Sequence, residues 1–237
     1  MSNRWALRLA VNGDLRFLSH HDMMRAVERI ALRANLPLRY SQGFNPHPIL
    51  SLPCPRPVSV ASRDDVLVLA LEEPVSPDVL LKGLNAHAPE GLSFRDACLL
   101  PDGQSSVQPA RVEYEVPLEP SRVRGVEQRI EALRRDDAWI VERREKPRRR
   151  KQHSPPRSRQ IDVKPMIAEL NVCDGRVRFA CVPHEQKWAK PSEILHLLGL
   201  SEPEASARLV RTSILADAFR DAADEPPPAR RDADKTP

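Results

Sequence analysis

Aromatic residues are scarce in this 237-residue chain: five Phe, three Trp and two Tyr, 4% in all. So few rings leave little material for the stacking surfaces that read single-stranded nucleic acid by base. Cysteine is scarce as well. Cys54, Cys98, Cys173 and Cys181 are scattered, with no CxxC and no CxxxCxxC, so no thiolate set exists to ligate an iron–sulfur cluster. They are expected to be reduced and mostly buried. No run approaches the roughly twenty apolar residues of a spanning helix, and MSNRWALRLAV enters an alternating pattern with no signal-peptide core. A cytoplasmic location is therefore expected. Walker loop, dinucleotide fingerprint and nucleophile elbow are all missing, and no cofactor is expected.

Charge is present in quantity but nearly balanced. Net charge is +4 with a pI near 9.0, which says less than its distribution. From Arg143 to Arg159 basic residues concentrate with Glu145 as the one counter-charge. Such a run, broken by proline, is expected to be an extended or disordered loop. Its Arg148, Arg149, Arg150 and Lys151 are candidate nucleic-acid contacts of salt-sensitive, sequence-blind affinity.

The most informative stretch is residues 15–48, LRFLSHHDMMRAVERIALRANLPLRYSQGFNPHP. Trp5, Leu7, Leu9 and Val11 ahead of it alternate as a half-buried strand. Ser19 suits a helix N-cap with Asp22 three residues on, and Met23, Val27, Ile30, Ala31 and Ala34 follow at helical spacing. Leu36-Pro37 stops the helix, and Leu38 to Ser41 reads as a second strand running into Gly43 to Pro48. In a right-handed strand–helix–strand unit the strands run parallel, so the GFNPHP loop is expected beside the start of the helix. Ser19, His20, Asp22, Tyr40, Gln42, Asn45 and His47 would then line one pocket, with spare helix amides that suit an anion.

Further on, Asp65 to Leu71 is an apolar strand, Ser76-Pro77 opens a helix bearing Leu80 and Leu84, and Leu92 to Leu100 is a fourth strand. The order strand, helix, strand, strand, helix, strand is that of a ferredoxin-like domain. Residues 101–109, PDGQSSVQP, make a polar linker. The second half repeats the plan: a strand from Val112 to Leu118, a helix capped by Ser121, Trp139 to Val141 as a strand, a hairpin turning at Asp174-Gly175, a short helix at 191–199 and a strand at 208–215. The expected fold is α+β, with two tandem ferredoxin-like domains, 1–100 and 110–216, and a disordered proline-rich, charged tail at 217–237.

The same residues resemble a known family, the radical-SAM-linked proteins, an uncharacterised domain found beside or fused to radical SAM proteins. Leu15 to His20, Asp22, Leu36-Pro37-Leu38 and above all Tyr40 to Pro48 carry the likeness. Weaker echoes are Leu84-Asn85, Pro89 to Leu92, Ile161-Asp162 with Lys164-Pro165, Lys190 to Leu195, and Arg211-Thr212. The chain departs at His21, where the family has an aliphatic residue, and near Val58 to Asp65, where the family has a glycine with an acidic residue and this chain has Ser59 and Arg63-Asp64. The resemblance implies a radical SAM iron–sulfur protein as partner and supplies no activity.

Two function classes follow. One is a non-catalytic accessory or substrate-presenting partner of a radical SAM enzyme. The other is an RNA-binding protein or metal-independent ribonuclease, resembling CRISPR repeat-processing endonucleases in architecture, with His20 or His47 as base and Tyr40 or Arg25 assisting. Three imidazoles, His20, His21 and His47, leave room for a metal. Adjacent histidines seldom ligate one ion from a helix, so no metal is assigned, and catalytic residues stay unknown.

Overall fold

The computed structural model describes residues 3–144, 158–200 and 203–219. They form a mixed α+β fold built on one eight-stranded sheet. The first half supplies β1 (Arg4–Val11), α1 (His20–Arg33), β2 (Leu50–Ser51), β3 (Ala61–Ala70), α2 (Pro77–His87) and β4 (Leu92–Leu99). The second supplies β5 (Pro109–Pro117), α3 (Val123–Arg135), β6 (Ile140–Arg144), β7 (Ser158–Asp162), β8 (Ile167–Cys173), β9 (Arg176–Cys181), α4 (Pro191–Leu197), α5 (Pro203–Arg208) and β10 (Val210–Ala216). In space the strands run β4-β1-β3-β10-β5-β9-β8, with β2 also on β3, while β6 and β7 form a separate two-stranded sheet.

The two halves share one strand order. Counting the sheet strands of each half first to fourth, both lie 4-1-3-2: β4-β1-β3-β2 and β10-β5-β9-β8. They are also continuous with each other. Strand β10 pairs in parallel with the first residues of β3, Val210 with Ala61 and Arg211 with Ser62, while β2 pairs with the last, Leu50 with Leu69. A single edge of β3 thus serves two neighbours. Residues 101–109 are not a free linker either: Val107 is buried, and Asp217 accepts hydrogen bonds from the Gln104 side chain (3.1 Å) and the Gln108 amide (3.0 Å).

Burial explains why β1 differs from the half-buried strand its alternation suggests. Trp5, Leu7, Leu9 and Val11 pack under α1 and α2 with Met23, Val27, Ile30, Leu80 and Leu84. Ala6 on the opposite face joins a second core with Val66, Val68, Val107 and Ala216. Each fully buried leucine here contributes about 1.5–3 kcal/mol relative to an exposed one. Arg8, on that second face, pairs with Asp64, donates to the Ile214 carbonyl at 3.2 Å and lies 4.3 Å over the Phe219 ring. Asp217–Phe219 thus form a 3-10 turn packed on the sheet, past the expected start of the tail. Residues 220–237 lie outside the described residues.

Local signals form as their chemistry predicts in most places. Ser19 accepts from the Asp22 amide to cap α1, Ser76 caps α2 with Pro77 in its first turn, and Asp174 and Gly175 turn the β8–β9 hairpin at φ 50° and 67°. Ser121 is the exception. It sits inside a 3-10 turn, Pro120–Arg122, and the residue at the α3 N-cap is Arg122, whose side chain makes no cap bond. Ser59, in the segment where the resembling family carries glycine, adopts φ 75°, a backbone conformation glycine enters without steric cost.

Candidate functional site

At the start of α1 the Ser19 hydroxyl donates to Asp22 Oδ2 at 2.7 Å and accepts from the Asp22 amide at 3.2 Å. The His20 and His21 rings meet edge to face with centroids 5.5 Å apart. His20 Nδ1 is buried and has no hydrogen-bond partner among the described residues. Below this end lies a crevice lined by Leu18, Ser19, His20, Met23, Leu52, Cys54, Arg56 and Asp65, holding about 10 Å³. That is room for about one water molecule.

Beneath the crevice is a cluster of charge that sequence reasoning missed. Arg211 on β10 is 1% exposed. Its guanidinium donates to Asp65 Oδ1 at 2.8 Å, the Cys54 carbonyl at 2.9 Å, the Tyr114 hydroxyl at 3.3 Å and the Pro55 carbonyl at 3.4 Å. Arg56, its side chain 5% exposed, faces the other oxygen of Asp65 with Nε at 3.4 Å and donates to the carbonyls of Arg16 (2.8 Å) and Val60. Two guanidiniums share one carboxylate. Burial pulls Arg56 below its ordinary value, with Asp65 opposing and Arg211 adding to the fall. Burial also works against the charge of Arg211, but Tyr114, Asp65 and Cys54 outweigh it and hold that residue above its ordinary value. Burial raises the Cys54 thiol. An ion pair this deep must have its hydrogen bonds filled to be tolerated, and here backbone carbonyls fill most of them. The cluster ties β10 and the Cys54–Pro57 strap to β3. The arrangement is architectural, and only Arg211, through the weak Arg211-Thr212 echo, carried any sequence signal.

The Tyr40 to Pro48 motif goes elsewhere. Leu38 bridges to Leu71 and Tyr40 to Pro48, and Arg39 donates to the Ala70 carbonyl at 2.9 Å, so the expected second strand is reduced to isolated bridges. The Ser41 amide donates to the His47 carbonyl at 2.9 Å, the His47 amide donates to Ser41 Oγ at 3.1 Å, and Ser41 Oγ lies 3.0 Å from His47 Nδ1. His47 thus braces its own loop. Gln42, Asn45 and His47 are exposed, and Phe44 at the tip is fully so. Side-chain hydrogen bonds from Gln42 and Asn45 are absent among the described residues.

The expected single pocket therefore splits in two. Ser19, His20 and Asp22 stay together, while Tyr40, Gln42, Asn45 and His47 stand at the other end of the sheet. The loop comes before the paired strand β2, not after it. Leu50 of β2 lies across from Leu69, and Leu69 across from Trp5 at the start of β1. The chain enters α1 after Val11, at the other end of β1. Those anchors are separated by six strand residues, roughly 20 Å at 3.3 Å each. What returns to the start of α1 is the chain after β2: Leu52, Cys54 and Arg56.

Arg148, Arg149, Arg150 and Lys151 lie outside the described residues. Arg143, at the head of that basic run, is engaged: it forks onto Glu193 with two 2.7 Å contacts and donates to the Trp188 carbonyl at 2.7 Å. The hydrogen bond it donates to the Glu193 carboxylate holds its pKa above the ordinary value. Other residues of the weaker echoes are also structural. Asn85 clamps Phe94 by two backbone bonds of 2.8 and 2.9 Å, and Asp162 accepts from the Trp139 and Lys164 amides at 2.8 and 3.0 Å. A Cβ on Gly91 would meet the Asn12 carbonyl oxygen at 2.7 Å. All four cysteines are free, with Cys173 exposed.

Residues 4–199 match a family described as uncharacterized proteins conserved in bacteria (DUF2344), and the chain belongs to that family. The description carries no activity and no partner. No curated protein matches the chain. Among solved structures, the chain aligns with the crystal structure of an unknown protein from Galdieria sulphuraria at 13% identity, over 91% of this chain and 98% of that one, with a TM-score of 0.24. That score is too low to carry any argument about fold.

Proposed function

We propose that this protein is a non-catalytic accessory or substrate-presenting partner of a radical SAM enzyme, and that it engages its partner through the Tyr40–Pro48 loop. The observation that carries the reading is Phe44, a large apolar side chain fully exposed on a loop braced by Ser41 and His47. A rigid aromatic anchor loses little entropy on docking, which is why such residues dominate binding energy at interfaces. The small crevice beside His20 supports the non-catalytic part, since its volume of about 10 Å³ holds about one water molecule and no substrate.

The scaffold of this reading is a pair of ferredoxin-like units fused edge to edge, supported by the strand order common to both halves. A cytoplasmic site agrees with four free thiols. The radical SAM partner rests on the resemblance of Tyr40 to Pro48. Affinity purification from the native host tests it: the wild-type chain is expected to recover an iron–sulfur protein, and Phe44→Asp to lose it. Repeated recovery of the chain alone under gentle conditions would overturn the reading.

A further inference from the structure

Helix α1 carries Arg25, Arg29 and Arg33 four residues apart, so one guanidinium leaves the same face at each turn, spaced about 6 Å along the axis. All three are exposed. Arg25 has only Asp22, at 3.9 Å, and Arg29 and Arg33 have no ion pair or hydrogen bond among the described residues. Like charges four residues apart weaken a helix. The row is thus a cost to the fold that the single contact of Arg25 with Asp22 offsets only in part.

Beside it a cleft of about 480 Å³ runs between α1 and α2. Arg29, Arg33 and His87 rim it, and Ile30, Ala88 and Pro89 supply apolar surface; Glu28 and Glu90 do not line it. The volume falls in the range of small-ligand clefts, about 300–1,000 Å³. A carboxylate side chain would satisfy the cations and leave the apolar floor empty. A nucleotide brings both a phosphate for an arginine fork and a flat base for the floor and the His87 ring.

We infer that the α1/α2 cleft binds single-stranded nucleic acid, with a phosphate held by Arg29 and Arg33, its base in the cleft, and Arg25 serving the next phosphate. Little base preference is expected, because the two guanidiniums serve the phosphate and His87 alone is left to meet a base. None of the residues that line the cleft belongs to the Phe44 loop.

The test is fluorescence anisotropy of the full chain with a labelled single-stranded RNA of about twelve nucleotides at low salt, repeated with Arg29→Ala/Arg33→Ala. The double variant is expected to bind at least about tenfold more weakly, and its plot of log affinity against log salt to flatten by about 0.7, the share of one phosphate on a single strand. A lysine pair at the same positions should keep the salt slope, and circular dichroism should show the alanine variant folded. Three results would overturn the inference: no binding by the wild type, unchanged binding by the alanine variant, or equal displacement of the RNA by polyglutamate of matched charge. A variant with Arg148, Arg149, Arg150 and Lys151 replaced by Ala must keep the Arg29 and Arg33 dependence; loss of all binding in that variant also overturns it.

Discussion

The start of α1 and the Tyr40–Pro48 loop are both rich in serine, histidine and turn-forming residues, yet they resolve into opposite kinds of structure. At the first, Ser19 closes a helix end, and beneath it the buried carboxylate of Asp65 pairs with Arg56 and Arg211. At the second, Ser41 and His47 are spent on the loop's own shape, and the apolar Phe44 is left facing solvent. The difference lies in which groups have partners of distant sequence. Asp65 and Arg211 are 146 residues apart, so their contact records tertiary structure. Ser41 and His47 are six apart, so theirs records only a turn. A dense motif can thus mark a joint in the architecture or a feature held out for another molecule.

The largest expected effect tests the joint. Asp65→Ala leaves Arg56 and Arg211 buried without their carboxylate and should cost about 3–5 kcal/mol, read from the urea midpoint, whereas Ser41→Ala in the exposed loop should stay within about 0.5 kcal/mol. Equal costs would erase the contrast. The interior should next betray itself in alkali. Burial pushes Tyr114 up to about 12 from 10.0, with Arg211 opposing, and burial, aided by Cys54, pushes Cys181 up to about 12 from 9.0. The folded chain then holds both protons more tightly than the unfolded one. Their stabilising contribution is whole below pH 9 and is lost as pH rises through 9–12. Urea midpoints measured across that window should fall, and Tyr114→Phe should flatten the upper part of the fall. Unchanged midpoints would show that these groups titrate as if exposed.

Ser19→Ala should cost about 1 kcal/mol, the worth of an N-cap, measured the same way. Ser59→Gly, which relieves φ 75° at the cost of a more flexible unfolded chain, should lie between no change and a gain of about 1 kcal/mol. Smallest in stability is Phe44→Ser, within about 0.5 kcal/mol, even though it is expected to abolish partner capture. A drop of 2 kcal/mol or more in that variant would make Phe44 a packing residue and remove the basis for a docking loop.

The amino-acid sequence by itself determined what depends on near neighbours. Ser19 and Ser76 as helix caps, Pro77 in the first turn of α2, the Asp174-Gly175 turn and the apolar stripe of Met23, Val27 and Ile30 all follow from interactions within a few residues, and all can be read from spacing. The capping error at Ser121 is of the same local kind, a 3-10 turn placed before α3. Tertiary structure alone decided the rest. It covers the second face of β1 with Val107 and Ala216, and it joins the halves through β10 on β3. It sets β2 after the GFNPHP loop, so that Cys54 and Arg56, and not Asn45 and His47, reach the start of α1. It also buries Arg211 on Asp65. Strand pairing and burial depend on which distant segment arrives beside a residue, and alternation or charge along the chain holds no record of that arrival.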